Sequence, residues 1–174
     1  MRTQNPRQEF AIRAAEFRKE LANGEAAGLH EFMEEVAVDL DEKQAKAEVM
    51  FKHFDEVGFG ATYKNSLQQF AIVLPDATHE GLFRSQCFDK KGFFSHSTRS
   101  TADEVILELC EDGFMEVAPG ETLETMSKTQ AWVRGMAVLA VRQAVQDGRI
   151  TWQEAERRYS DIEMKYDPDF DVAA

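Results

Sequence analysis

Apolar and polar positions in the first sixty residues follow the period of an α-helix. A first helix ends at Asn23-Gly24, which is a typical C-terminal stop. Near Asp39-Leu40-Asp41 the pattern breaks, and Asp41 would cap a third helix. The three apolar stripes are Phe10, Ala14, Phe17 and Leu21; then Leu29, Phe32, Met33 and Val36; then Ala47, Met50, Phe51 and Phe54.

The segment from Tyr63 to Leu74 fits two structures. The run from Phe70 to Leu74 taken alone fits a strand, whereas Tyr63 and Leu67 extend it into a helical period. We favour the helix, because the period reaches beyond the short apolar run. Pro75 ends the segment in either case.

The centre of the chain has the pattern of a small sheet. Residues 82–89 and 93–98 are predicted as two strands around the three-residue loop Lys90-Lys91-Gly92. Thr101 and Glu104 form a capping box that begins a helix, and Gly113 ends this helix. Residues 114–118 are predicted to return as a third strand.

The last third is predicted as two helices. The first begins at Ser127 or Thr129, ends at Gly148, and is apolar almost all round, which predicts a central buried helix. Gly135 inside it is tolerable if another backbone packs closely there. A capping box at Thr151 begins the second helix. Its inward residues are predicted to be Trp152, Ala155 and Tyr159.

These elements predict an α+β protein with N-terminal helices, a three-stranded antiparallel sheet built as hairpin, helix and strand, and two C-terminal helices, one of them buried. Residues 1–60 would form a helical annex and residues 61–174 an α+β core. One compact domain overall is the alternative, since 174 residues suit either arrangement.

Charge narrows the choice of partners. The formal net charge is −12 and is spread along the chain, with −5, −4 and −3 in residues 1–60, 61–120 and 121–174. Such a surface repels nucleic acid and anionic membranes, so a basic surface of a host protein is the expected partner. The sequence has neither a signal peptide nor an apolar run of 18 residues, which predicts a cytoplasmic protein.

Two groups of carboxylates are candidate docking surfaces. Between Ser100 and Ser127 the chain has eight carboxylates and no lysine or arginine. From this stretch the candidate partner-binding residues are Glu104, Glu108, Glu111, Asp112 and Glu116. A secondary acidic row consists of Glu31, Glu34, Glu35, Asp39, Asp41 and Glu42. The simpler interpretation of the first group is a solvated helix face, but acids in a last helical turn oppose the helix dipole, which favours a retained binding surface.

A row of acids on a helix can also imitate nucleic acid. Positions i, i+4 and i+7 place one charge per about 5.5 Å of helix axis, whereas a DNA strand has one phosphate per about 3.4 Å. One helix is therefore a sparse imitation, and mimicry would require the two acidic rows to be adjacent.

The sequence offers little catalytic chemistry. Cys87 and His96 are predicted to point to opposite faces of the hairpin, which disfavours a thiol–imidazole pair. The four histidines and two cysteines show no metal-ligand spacing, so neither a metal nor another cofactor is expected. His96 and Arg99, before a helix N-terminus, are the candidates for an anion site. Phe93-Phe94, beside Lys90 and Lys91, is a candidate apolar knob for a partner.

Several segments of the C-terminal half resemble a module of accessory proteins from bacterial plasmids and phages. They are Phe88–His96, Thr101–Glu104, Asp112–Phe114, Trp132 with Gly135, and Asp147–Trp152. The resemblance implies a mobile-element setting, in which small acidic proteins often counter host defence. It transfers no catalytic residue.

The sequence therefore favours a non-enzymatic acidic binding protein. Its expected role is that of a phage- or plasmid-encoded inhibitor or regulator, of the anti-CRISPR or anti-restriction type, that docks on a basic, nucleic-acid-handling protein. The alternatives are a small enzyme acting on a nucleotide-like or phosphorylated substrate and a structural protein of virion assembly.

Overall fold

A computed structural model describes residues 5–24 and 28–166. Over these residues the chain forms six α-helices and five strands, which confirms the α+β class. The elements are α1 Glu9–Ala22, α2 His30–Val57, β1 Thr62–Lys64, β2 Phe70–Pro75, β3 Phe83–Asp89, β4 Gly92–Arg99, α3 Ala102–Glu111, β5 Glu116–Ala118, α4 Thr122–Ser127, α5 Gln130–Gln146 and α6 Trp152–Tyr166.

The sheet is antiparallel with strand order β4-β3-β2-β1-β5, so the predicted count of three strands is wrong. β1 lies between β2 and β5: its residue Tyr63 pairs with Ala71 of β2 and with Val117 of β5. The two additional strands come from the segment for which a helix was predicted.

Asn65 explains why residues 63–74 form a hairpin instead of a helix. Its side-chain oxygen accepts hydrogen bonds from the backbone N–H groups of Leu67 and Gln69, both at 3.0 Å. Gln68 has a φ of 59°, a left-handed conformation that breaks a helix. This local bonding of asparagine competes with helical hydrogen bonds, so the apolar period of the segment is coincidental.

Helix α2 is continuous over 28 residues, so the predicted break at Asp39-Leu40-Asp41 is wrong. Leu40 is buried and continues one inward stripe, while Asp39 and Asp41 lie on exposed faces. Asp41 does not cap a helix but forms an ion pair with Arg18 of α1 at 2.6 Å. The two acids are therefore exposed neighbours of a buried leucine within one helix, and they do not mark the end of that helix.

The predicted capping threonines of α3, α5 and α6 are confirmed. Thr101 and Glu104 form a complete capping box at α3. The hydroxyl of Thr129 accepts the N–H of Trp132 at α5, and the hydroxyl of Thr151 accepts the N–H of Glu154 at α6, both at 3.2 Å. These threonines satisfy donors that the first helical turn leaves unpaired.

The chain divides into two compact units. The first comprises Met1–Cys87 and Ser95–Gly120, and the second comprises Phe88–Phe94 and Glu121–Ala174. The division predicted at residue 60, between a helical annex and an α+β core, is a claim about separate domains. The two compact units do not test it, and it stays a prediction. No helix in the described ranges combines the length and the apolar character that crossing a membrane requires.

The first unit is built around α2. This helix packs against α1, α3 and β5, and α3 packs in turn on β2. Met50, Tyr63 and Ile106 are among its fully buried side chains. The Tyr63 hydroxyl donates to the backbone oxygen of Met50 at 3.0 Å, which satisfies the one polar atom that this ring buries.

The second unit is built from the hairpin turn and helices α4, α5 and α6. Phe88 is fully buried and contacts the rings of Phe93 and Trp132 edge to face. α5 buries Trp132, Val141 and Ala144, whereas its other residues are half-buried or exposed. The prediction of a central buried helix is therefore wrong, because only these three residues of α5 are buried.

The inward face predicted for α6 is correct in part. Ala155 is fully buried and Tyr159 is half-buried, but Trp152 is 63% exposed. The Trp152 indole N–H donates to Glu156 one turn later at 3.1 Å, which holds the ring on the surface. This contact between residues i and i+4 is local to α6.

Asp76 organises the turn between β2 and β3. Its carboxylate accepts hydrogen bonds from the backbone N–H groups of Thr78 and His79 and from the hydroxyls of Thr78 and Thr98, at 2.7–2.9 Å. These donors, the Thr78 bonds first, hold the pKa of Asp76 well below its usual range.

We expect Asp76→Asn to remove part of the acid dependence of stability. A carboxyl whose pKa is depressed in the folded state contributes stability that is complete above its unfolded pKa, near 3.9. This contribution is lost as pH falls below about 4 toward the folded value. Urea unfolding between pH 2 and 7 measures it: the wild-type and variant difference should narrow below about pH 4. A constant difference across that range would contradict the assignment.

Candidate docking surface

Most carboxylates predicted on the α3 side are engaged within the protein. The Glu104 side chain accepts the backbone N–H groups of Ser100 and Thr101 as part of the cap. Glu108 lies in an ion pair with Arg99 and accepts the hydroxyl of Ser97. These two acids serve the local structure and have limited capacity left for a partner.

The remaining members of that group are exposed. Glu111 forms a 3.4 Å ion pair with Arg13 of α1, and Glu116 forms a 3.0 Å ion pair with Lys64 of β1. Asp112, the residue after α3, is exposed and has no ion pair among the described residues. Internal cations therefore offset much of the negative charge that the sequence places here.

The secondary acidic row on α2 is engaged to a smaller degree. Arg18 of α1 pairs with Asp41 at 2.6 Å and with Glu34 at 3.9 Å, and Lys43 pairs with Asp39 at 2.6 Å. The pKa of Asp41 is held below its ordinary value by the hydrogen bond from Arg18. The members of this row with no ion pair within residues 5–24 and 28–166 are Glu31, Glu35 and Glu42.

These three acids lie on one exposed face of α2. Their spacing of four and then seven residues places them in a line along about 17 Å of the helix axis. Two exposed valines continue the same face, Val38 between the acids and Val49 beyond them. A shallow depression of about 600 Å³ follows this surface from His30 to Glu42. We call Glu31, Glu35, Val38, Glu42 and Val49 the outer face of α2.

Arginines of α1 form ion pairs with members of both acidic rows. Arg13 of α1 contacts Glu111 next to α3, and five residues later Arg18 contacts the α2 row. Arg7, before α1, bridges Asp55 of α2 and Asp103 of α3 at 2.7 Å each. Arginines therefore lie between the rows, which works against the continuous anionic track that nucleic-acid mimicry needs.

One of the two residues of the predicted anion site, Arg99, is engaged by the protein's own groups. Arg99 donates to Glu108 and to the backbone oxygen of Thr98. His96 is exposed on β4. A guanidinium already paired with a carboxylate attracts a phosphate weakly, because the pair is close to neutral.

The two thiols are not activated. Cys87 and Cys110 are both buried and free. Burial, and secondarily nearby carboxylates, raise the pKa of Cys87 to about 11 and that of Cys110 to about 12. Both thiols therefore stay protonated at neutral pH and are poor nucleophiles. Cys87 is buried and His96 is exposed, and the opposite faces expected for them stay a prediction.

Sequence reasoning missed a second feature, a cavity of about 500 Å³ in the second unit between the hairpin turn and α5. Its lining includes Lys90, Lys91, Arg134 and Arg142. The predicted apolar knob belongs to this cavity: Phe93 is half-buried and Phe94 is 49% exposed. The signal available in the sequence was Gly135, which allows α5 to approach another backbone.

Within the described ranges, no group of three or more histidines, cysteines and carboxylates is arranged to hold a metal ion. No family model matches the chain, and the searches of curated proteins and of solved structures give no match either. The functional interpretation therefore rests on the chemistry of these surfaces.

Proposed function

We propose that this protein is a non-enzymatic binding protein and that the outer face of α2 docks on a basic protein surface. The observation that carries the proposal is a helix face that combines exposed apolar side chains with three carboxylates, Glu31, Glu35 and Glu42, that have no ion pair among the residues the structure describes. The described residues supply neither cations for these acids nor a cover for the valines.

The mixture of charge and apolar surface favours a protein as the partner. Carboxylates steer a basic partner and fix its orientation, but exposed ion pairs add only about 0.2–1 kcal/mol each. Apolar burial adds about 25 cal/mol per Å², so Val38 and Val49 supply the part of the affinity that salt does not weaken. Phe32, 61% exposed at the edge of the face, would extend the contact.

Charge distribution supports the same assignment. The first unit carries 21 acidic and 11 basic residues, a net −10, and the second carries 11 and 9, a net −2. The repulsive field for nucleic acid and the attractive field for a basic protein are therefore strongest on the unit that contains α2.

The α3 group, Glu104, Glu108, Glu111, Asp112 and Glu116, becomes the less favoured contact in this proposal. Three of its members bind cations of this chain, and Glu104 caps α3. A partner would have to displace these contacts before it gained its own. On α2, the acids that already form ion pairs lie beside the outer face. A partner that binds the outer face therefore does not have to displace their ion pairs.

The more specific form of the proposal is a cytoplasmic inhibitor or regulator, encoded by a phage or plasmid, that acts on a nucleic-acid-handling defence complex. It rests on the resemblance of the C-terminal half and on the acidic surface. For an enzyme acting at His96 and Arg99, no observation provides support, since Glu108 already binds Arg99.

Charge reversal on α2 tests the proposal. We expect the triple variant Glu31→Lys, Glu35→Lys and Glu42→Lys to bind the partner at least tenfold more weakly, because three attractive contacts become repulsive. The measurement is quantitative capture from a lysate of the cells that make the protein, at low and at high salt. Partner recovered with the wild type should fall as salt rises.

The matched control is Glu111→Lys, Asp112→Lys and Glu116→Lys, which changes the net charge by the same amount on the other acidic group. It should capture the partner as the wild type does, and circular dichroism should show both variants folded. Equal capture by the α2 variant, or loss in the α3 variant alone, would refute the assignment of α2. An empty capture with the wild type at low salt would refute the binding function.

A further inference from the structure

The cavity of the second unit combines an apolar floor with a basic rim, in a protein of strongly negative charge. Phe93, Phe94, Val138 and Leu139 supply apolar surface. The volume of about 500 Å³ lies within the range of about 300–1,000 Å³ that is typical of small-molecule sites.

The rim carries more positive charge than the protein itself offsets. Arg134 pairs with Glu163 of α6 at 3.0 Å, and Asp89 accepts the backbone N–H of Lys91 at 2.6 Å. No ion pair to Lys90, Lys91 or Arg142 occurs in the described part of the chain. Within the described residues, the cavity therefore has three cations without a carboxylate partner, and a single acid, Asp89, lines it.

Two backbone contacts fix the shape of this cavity. A Cβ atom at Gly135 would lie 1.6 Å from the backbone oxygen of Lys91, so α5 approaches the hairpin turn as closely as only glycine permits. Gly92 similarly faces Met136, whose sulfur would lie 2.7 Å from an added Cβ. Phe93 is held from behind by Trp132, with ring centroids 5.1 Å apart. The walls are thus packed before any ligand arrives, which lowers the cost of binding.

We propose that this cavity binds a small organic anion that has an aromatic or aliphatic body and a carboxylate or phosphate head. The body of the anion packs against the apolar surface of Phe93, Phe94, Val138 and Leu139. Its charged head is attracted by the positive charges of Lys90, Lys91 and Arg142. This activity is independent of docking through α2, because all residues that line the cavity belong to the second unit.

A pair of dyes that differ by one charge tests the proposal. 8-Anilinonaphthalene-1-sulfonate is an aromatic anion, and N-phenyl-1-naphthylamine is the same ring system without the sulfonate. Fluorescence titration of the full chain should give saturable 1:1 binding of the anion, about tenfold tighter than that of the neutral dye. Equal affinities of the two dyes would overturn the proposal.

Variants locate the site. Lys91→Gln with Arg142→Gln should weaken the anionic dye by about threefold to tenfold and leave the neutral dye unchanged, since only the head loses its partners. Lys46→Gln, which removes an exposed cation from α2, is the control and should change neither. An equal loss for both dyes, or an unchanged anion affinity in the double variant, would overturn the proposal.

Displacement of the dye distinguishes the kinds of head. Decanoate and 1-naphthyl phosphate should each displace the anionic dye, and the stronger competitor identifies a carboxylate or a phosphate as the preferred head. Decanol, which has the same chain as decanoate without the charge, should compete at least tenfold less well. Competition by decanol as strong as by decanoate would overturn the proposal. A dye affinity that rises when the protein is diluted would also overturn it, because it would show that a second copy of the protein fills the cavity.

Discussion

Gly135→Ala is expected to lower the free energy of unfolding of the second unit by about 2 kcal/mol or more. Helix propensity alone predicts the opposite, a gain of about 1 kcal/mol. The added Cβ, however, would lie 1.6, 2.5 and 2.9 Å from the O, C and Cα atoms of Lys91, all of them backbone. Overpacking commonly costs about 1–3 kcal/mol. At 1.6 Å from backbone atoms that cannot rotate away, the cost should reach or exceed the upper end of that range, so about 2 kcal/mol or more remains after the propensity gain is subtracted.

Tryptophan fluorescence during urea unfolding measures this effect, because Trp132 and Trp152 both belong to the second unit. Ala140→Gly is the matched control: Ala140 is exposed on the same helix, so this reverse exchange should cost only the difference in helix propensity, about 1 kcal/mol. A stabilised Gly135→Ala variant would show that the hairpin turn does not contact α5 as described.

Phe88→Ala should cost about 3–5 kcal/mol, the range for truncating a buried phenylalanine. Phe88 is fully buried, and its ring lies 6.2 Å from that of Phe93 and 6.0 Å from that of Trp132. The truncation removes both edge-to-face contacts and leaves a cavity in the small core of the second unit.

Phe94→Ala is the control for this prediction, because it truncates a phenylalanine six positions along the chain that is 49% exposed. We expect its cost to stay below about 1 kcal/mol. Urea unfolding followed by tryptophan fluorescence measures both variants. Similar costs for Phe88→Ala and Phe94→Ala would contradict the packing of the second unit.

The features that the sequence predicted correctly are those that depend on residues close together in the chain. The capping threonines Thr101, Thr129 and Thr151 each act within three residues, and each is found at its helix. The hairpin turn at Lys90-Lys91 is also local, although β4 begins at Gly92 and the loop has two residues instead of three. Gly92 has a φ of 114°, a conformation that favours glycine at the end of such a turn.

Errors arose where two local patterns competed or where burial depends on distant contacts. Residues 63–74 carried a helical period, and the side chain of Asn65 decided against it. The apolar surface of α5 predicted a buried helix, but burial depends on which elements pack on the helix, and only three of its residues are buried.

The candidate sites were predictable only in part for the same reason. A pattern of acids is visible in the sequence, but the cations that engage it come from far away: Arg13 and Glu111 are 98 positions apart, and Arg7 and Asp103 are 96 apart. No local rule pairs them. The basic cavity likewise joins a hairpin turn to a helix some forty residues later, which only the fold reveals.

The affinity of the captured partner for the wild type and for the α2 triple variant tests the central claim most directly. Isothermal titration at two salt concentrations should give a dissociation constant at least tenfold weaker for the variant, together with a smaller salt dependence, because the reversed residues carry the electrostatic part of binding. An equal dissociation constant with an unchanged salt dependence would contradict docking through the outer face of α2.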